Sequence, residues 1–295
     1  MDKYPTDAHP AAGGEVWRRL PYATAPMGWQ LARTEALFDG LVAGAPPTIR
    51  WYMPARPALV LGRSQGPDRA DHAAARAAGV AVHRRTSGGG AVLVDDAALS
   101  LDIALPTSHP LALTDLTRSY EWIGRVWTDA LHHLGILDAS AIPTAEARAL
   151  AALPADDPLR LACFGTLSPY EVVVGRRKVV GLSQIRRRPG AIYAIGVHLR
   201  WRPARLTALL ALDPTTRAAL TISLAGAAAG LDELAGRPVA TPEIMAAVES
   251  ALTDRLGIIL TPGPWLAAER AAAQSARERF RPMRSPAVPA LTSAS

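Results

Sequence analysis

Apolar residues recur at helical spacing in two long stretches. Trp29, Leu31, Ala32, Ala36, Leu37 and Leu41 form one stripe. Leu116, Tyr120, Ile123, Trp127, Leu131 and Leu134 form a stronger one over residues 114–134, closed by Gly135. A shorter alanine-rich helix is predicted over 68–78, ending at Gly79. Between these helices the period shortens. Residues 48–52 and 58–62 read as strands around a turn at Pro54 to Pro57, residues 80–83 and 91–94 as two more, and 99–105 as another stopped by Pro106. A second β-rich block covers 169–174, 178–184 and 191–199, with turns at Gly175 and Pro189-Gly190, which predicts a hairpin or meander. Two helical stretches follow, the last punctuated by Thr241 as cap, Pro242 as first helical residue and Gly257 as stop. Strands in two groups, with helices between and after them, predict an α+β fold with a mixed, mostly antiparallel sheet flanked by helices.

Three stretches lack a clear period. Residues 1–14 are expected to be a disordered lead, 139–160 a mobile loop containing a short helix, and 259–295 a basic helical or disordered tail with a helical patch between Trp265 and Phe280. That leaves 15–258 as the folded domain, and 295 residues with 49% hydrophobic content suffice for a large core. No run of residues is long and apolar enough to span a bilayer and no secretory pattern opens the chain, so a cytoplasmic protein with no membrane partner is expected. The one cysteine, Cys163, rules out an internal disulfide and any cysteine-based metal cluster within one chain. His132 and His133 diverge by about 100° around their predicted helix, so no metal site is expected there. A net charge of +6 favours acidic partners. The basic residues are not interleaved with aromatics, which argues against single-stranded nucleic acid as the partner.

The segment Arg84-Arg85-Thr86-Ser87-Gly88-Gly89-Gly90-Ala91-Val92 is hard to explain by packing. Consecutive glycines are tolerated mainly where φ must be positive or where a ligand passes close to the backbone. Set between strands, the run offers exposed amides and guanidinium groups suited to a carboxylate or phosphate. Further on, strict alternation along 178–186 places Lys178, Val180, Leu182, Gln184 and Arg186 on one face and Gly181 and Ser183 on the other. The first face can be a tunnel wall for an aliphatic chain with polar ends, or an ordinary sheet face.

The glycine segment resembles the signature of the lipoate-protein ligase A family, within the biotin/lipoate protein ligase superfamily. Residues Gly175-Arg176-Arg177-Lys178-Val179-Val180-Gly181-Leu182-Ser183-Gln184 are similar to that family's lysine motif, and Leu61-Gly62-Arg63-Ser64-Gln65 to an upstream element. Ala162-Cys163-Phe164, with Ser168-Pro169-Tyr170-Glu171-Val172, resembles the cysteine motif of its octanoyltransferase branch. Together the four blocks cover roughly residues 29–200.

The resemblance implies an enzyme of protein lipoylation. Such enzymes join an octanoyl or lipoyl chain to one lysine of a lipoyl carrier domain, as in a dehydrogenase E2 or the glycine cleavage H protein. Cys163 and Lys178 are then the catalytic candidates, Lys178 for electrostatic stabilisation at the acyl carbonyl. Arg84, Arg85, Ser87, Gly88, Gly89, Gly90, Gly181, Ser183 and Gln184 are the substrate-binding candidates. Two routes stay open. A Cys163 thioester accepts the chain from acyl carrier protein with no cofactor. An ATP-dependent ligase activates free lipoate as the adenylate with ATP and Mg. The family commonly has His-Asp after the glycines and His-Gly after the lysine motif, where Val94-Asp95 and Ile195-Gly196 stand here. His198 follows three residues later, and a regular strand turns it to the face opposite Ile195. These departures admit a third reading, a noncatalytic acyl- or nucleotide-binding member.

Overall fold

The computed structural model describes residues 14–284; all but the last residue of the expected disordered lead, and residues 285–295 of the tail, lie outside them. In chain order the elements are β1 (Val16–Arg19), β2 (Ala23–Ala25), α1 (Met27–Val42), β3 (Thr48–Pro54), β4 (Ala58–Leu61), α2 (His72–Ala77), β5 (Ala81–Arg84), β6 (Val92–Val94) and β7 (Ala98–Pro106). They continue with α3 (Glu121–His133), β8 (Ala139–Ala141), α4 (Thr144–Leu150), β9 (Val172–Val174), β10 (Arg177–Arg187) and β11 (Gly190–His198). The chain ends in α5 (Pro203–Thr207), α6 (Pro214–Ala227), α7 (Leu231–Ala235), α8 (Thr241–Leu256), β12 (Ile259–Pro262) and α9 (Ala267–Ala276).

The larger sheet runs β12-β1-β3-β7-β11-β10-β9-β8, with β2 beside β3. It is antiparallel from β3 through to β8 and parallel among β12, β1, β2 and β3. A smaller sheet, β5-β4-β6, lies apart from it. The mixed, mostly antiparallel α+β architecture is the one that the alternating and helical periods predict.

Strand alternation divides the larger sheet into two faces. Ile49 and Trp51 of β3, Leu99, Leu101 and Ile103 of β7, and Ile195 and Val197 of β11 share one core cluster with Ile123 and Trp127 of α3 and Val248 of α8. Trp51 and Trp127 meet there edge to face, with ring centroids 6.1 Å apart. The other face looks toward α1 and the smaller sheet.

Local polar chemistry trims two predicted helices. The Asp115 carboxylate accepts from the amides of Thr117 and Arg118 at 2.8 and 3.0 Å, so the chain turns there and α3 starts only at Glu121, leaving Leu116 exposed. Asp71 caps α2 in the same way, accepting from Ala73 and Ala74. The cap of α8 is Ala240 rather than Thr241, while Gly257, at φ +67°, ends it as expected. Residues 139–160 contain β8, which pairs with β9, as well as α4. The start of the expected tail is built into the fold: β12 pairs with β1, α9 packs on α1, and Glu269 of α9 forms a buried ion pair with Arg18 of β1.

Candidate active site

Three loops meet at the end of the smaller sheet. Arg85 donates to the carbonyls of Gly88 at 2.7 Å, Gly90 at 2.8 Å and Val60 at 3.3 Å, so its guanidinium staples the glycine run rather than pointing outward. Gly89 needs its glycine, being held at φ +94°. Gly90 needs close approach instead, since a Cβ there would lie 2.6 Å from the Ala162 backbone. Ala91 donates to the Leu161 carbonyl at 2.7 Å and Cys163 donates back to Ala91 at 2.8 Å. Gln65 ties in the upstream element through Leu161 at 3.0 Å. The glycine loop therefore carries the cysteine loop, and the position for a Cβ on Gly89 is 3.9 Å from Cys163 Sγ.

Lys178 reaches this point because β10 is irregular. Lys178 pairs with Val173 and Val180 with Val172, leaving Val179 as the extra residue of a bulge. Val179 and Val180 both join the main core, and Lys178 is turned to the opposite face, where its Cε lies 3.4 Å from the Cβ position of Gly181. Unbroken alternation, which put Lys178 on the face of Val180 and Leu182, is thus corrected by one inserted residue. The Lys178 ammonium is buried and spends its donors on the Cys163 carbonyl at 2.9 Å, the Thr166 carbonyl at 3.2 Å and Glu171 Oε1 at 2.7 Å. Glu171 is buried as well and also accepts from the amides of Leu182 and Ser168. Such a pair is tolerated in the interior because the three ammonium protons and both carboxylate oxygens all have partners.

Above the open face of the larger sheet lies a cavity of about 110 Å³, bounded at one end by Cys163, Phe164 and Ser87 and roofed by Leu31, Val60 and Val94. Its floor is made of small residues at alternate strand positions: Gly181 and Ser183 on β10, Ala194 and Gly196 on β11, Ala98 and Ser100 on β7. The Ser183 hydroxyl lies 3.2 Å from both the Ser87 hydroxyl and the Ala194 carbonyl. His198, 5% exposed, lines the cavity between the rings of Phe164 and Trp201, at centroid distances of 4.8 and 5.0 Å. Burial pushes its imidazole down to about 4, so it is neutral at ordinary pH.

The structure brings Cys163, Lys178, Arg85, Ser87, Gly88, Gly89, Gly90, Gly181 and Ser183 together. It does not bring in Arg84, exposed at the end of β5, or Gln184, whose amide donates to the Leu116 carbonyl at 2.8 Å on the far side of the sheet. Both sit one residue out of phase with a neighbour that does take part, Arg85 and Ser183. Sequence reasoning missed Glu171, His198, Tyr52 and Phe280. Glu171 stands inside the cysteine motif, and His198 shares the strand parity of Gly196. Phe280 gives no local signal, because it reaches the cavity from the far end of the chain. Val94, where the family commonly has histidine, is an apolar wall residue, while the adjacent Asp95 accepts from Arg205 at 2.6 Å and from the Ala97 amide.

Comparison with known proteins bears on the family and the fold. Residues 26–253 match the lipoyl protein ligase A/B catalytic domain. The chain is 30% identical over 269 residues to an octanoyltransferase LipM from Kyrpidia tusciae, covering 90% of this chain and 96% of that protein. It is 31% identical to the Geobacillus kaustophilus octanoyltransferase LipM, covering 87% and 92%. Among solved structures, a bipartite lipoate protein ligase from Thermoplasma acidophilum, described with its E2 lipoyl domain, superposes with a TM-score of 0.71 at 18% identity, covering 90% and 93%. A lipoate-protein ligase A bound with ATP gives 0.69 at 19% identity, covering 90% and 95%. At such identities the structures speak for the fold; the matched domain and the sequence relatives place this chain in the lipoyl protein ligase A/B catalytic domain family.

Proposed function

We propose that this protein transfers an octanoyl or lipoyl group to a lysine of a lipoyl carrier domain through a thioester on Cys163. The observation that carries the reading is the position of the chain's one cysteine, at the polar end of an apolar cavity and on a loop whose carbonyl is held by a buried ammonium. The names of the sequence relatives support it.

In the first step the Cys163 thiolate attacks the thioester carbonyl of an acyl donor such as octanoyl-acyl carrier protein, and the donor thiol leaves with a proton. In the second, the amine of the carrier lysine attacks the Cys163 thioester, forming the amide and returning the thiol. No ATP enters either step. The amides of Gly88 and Gly89 form no hydrogen bond among the described residues, and the Cβ position of Gly89 is 3.9 Å from Sγ, so this loop is the candidate to receive the oxygen of a tetrahedral intermediate. Lys178 fixes the Cys163 backbone by donating to its carbonyl from behind the loop. The carrier is a dehydrogenase E2 lipoyl domain or a glycine cleavage H protein, and the protein works in the cytoplasm.

The test is intact mass spectrometry of the protein and an added lipoyl domain, after incubation with octanoyl-acyl carrier protein or with lipoate, ATP and Mg. An octanoyl adduct on the protein that moves to the carrier without ATP is expected, and Cys163→Ser abolishes it with little change in stability. Modification only with ATP and free lipoate makes the protein a ligase. Lys178→Ala stops either route and does not separate them.

A further inference from the structure

The floor of the cavity has a direction. Cross-strand register aligns Gly181 of β10 with Gly196 of β11, Gly196 with Ser100 of β7, and Ser100 with Tyr52 of β3. Three small side chains in succession are followed by a full-sized ring, so the passage that opens at Cys163 runs across the strands and meets Tyr52 about 14 Å later, three strand spacings away. Nothing lies within 4 Å of a Cβ built on Gly196, which puts open space at the middle of the row. His198, one of the buried polar groups of this wall, makes ring contacts and no hydrogen bond among the described residues.

The end of the passage is rigid. The Arg50 guanidinium lies over the Tyr52 ring at 4.0 Å and bonds Asp102 at 2.8 Å and Gln30 Oε1 at 2.6 Å, while Thr34 donates to Asp102 at 2.7 Å. Arg50, Gln30 and Asp102 are fully buried. Moving Tyr52 aside would strip the buried Arg50 guanidinium of its ring contact and Asp102 of the Tyr52 hydroxyl at 3.4 Å, a larger loss than an extra methylene gains.

We propose that Tyr52, backed by Arg50 and Asp102, is the stop that sets the length of acyl chain this protein accepts, and that Gly196 keeps the passage to it open. The inference rests on the acyl-transfer reading above and deepens it, assigning specificity to two residues that take no part in the chemistry.

Binding of free saturated carboxylates of increasing length, followed by calorimetry, tests it without requiring turnover. In the wild type, affinity rises about fourfold per methylene until the chain reaches Tyr52, and then stops rising. Gly196→Val moves that break to a shorter chain, and Tyr52→Leu moves it to a longer one, while Tyr52→Phe, which keeps the ring, leaves it in place. Gly196→Val projects into open space and so serves even if Tyr52→Leu fails to fold. A break at the same length in wild type and Gly196→Val, or no dependence on length, overturns the proposal. Failure of the transfer reading looks different: the breaks move as described, but no adduct forms on Cys163 from octanoyl-acyl carrier protein.

Discussion

The two faces of the larger sheet are built from the same strands and do opposite work. On β7, Leu99 and Leu101 point into the core against α3 and α8, whereas Ala98 and Ser100 face the cavity. On β11, Ile195 and Val197 fill the core, and Ala194 and Gly196 leave the other side empty. Stability is concentrated on one set of alternate residues, so the other set is free to stay small. The difference teaches that the cavity results from a two-residue period in side-chain size, laid over strands that stay paired in regular register beneath it.

The sharpest break of that comparison is on the packed face. Trp51 is 1% exposed, meets Trp127 edge to face and donates to Glu249 at 3.1 Å. Trp51→Ala is expected to cost about 3–5 kcal/mol, read as a lower denaturant midpoint with an unchanged slope. A milder contrast comes from pH. His198 lies on the cavity face and is held neutral down to about pH 4, against an ordinary value of 6.5. Above pH 6.5 neither the folded nor the unfolded chain binds this proton. As pH falls from 6.5 toward 4 only the unfolded chain does, so the stability is present above 6.5 and is lost on acidification, by about 3 kcal/mol at about 1.4 kcal/mol per unit. Unfolding curves at pH 7 and pH 4.5 should therefore lie closer together for His198→Phe than for the wild type. The smallest effect has the opposite sign. Gly196→Ala adds a methyl into open space at a strand position with ordinary backbone angles, and should stabilise the fold by about 0.4–1 kcal/mol while weakening binding of an eight-carbon carboxylate.

How much of this was legible in the sequence depended on how local its cause was. The strand and helix periods gave the architecture, and the glycine, lysine and cysteine motifs marked the loops that meet. The bulge at Val179 could not be read from alternation, because a single extra residue reverses every facing before it without altering the apolar pattern. Glu171 was visible as part of a motif, but its pairing with Lys178 depends on that reversal. The helix start at His72 was set by the Asp71 cap, and that at Glu121 by Asp115, whose side chain takes the amides of Thr117 and Arg118. Tyr52 needed the register of four strands before it could be seen as the end of anything.

Phe280 was the residue furthest from any motif, and its place has a consequence for how the site is completed. Its ring lines the cavity, its carbonyl is bonded to His83 Nδ1 at 2.9 Å, and Met283 donates to Val82 at 2.7 Å. Arg279 reaches the buried Glu35 of α1, which also takes the hydroxyl of Thr86 in the glycine loop. A chain that stops before Arg277 would retain every motif of the family and lack one side of the chamber. During synthesis the motifs of the site thus emerge well before the residue that closes one side of its cavity.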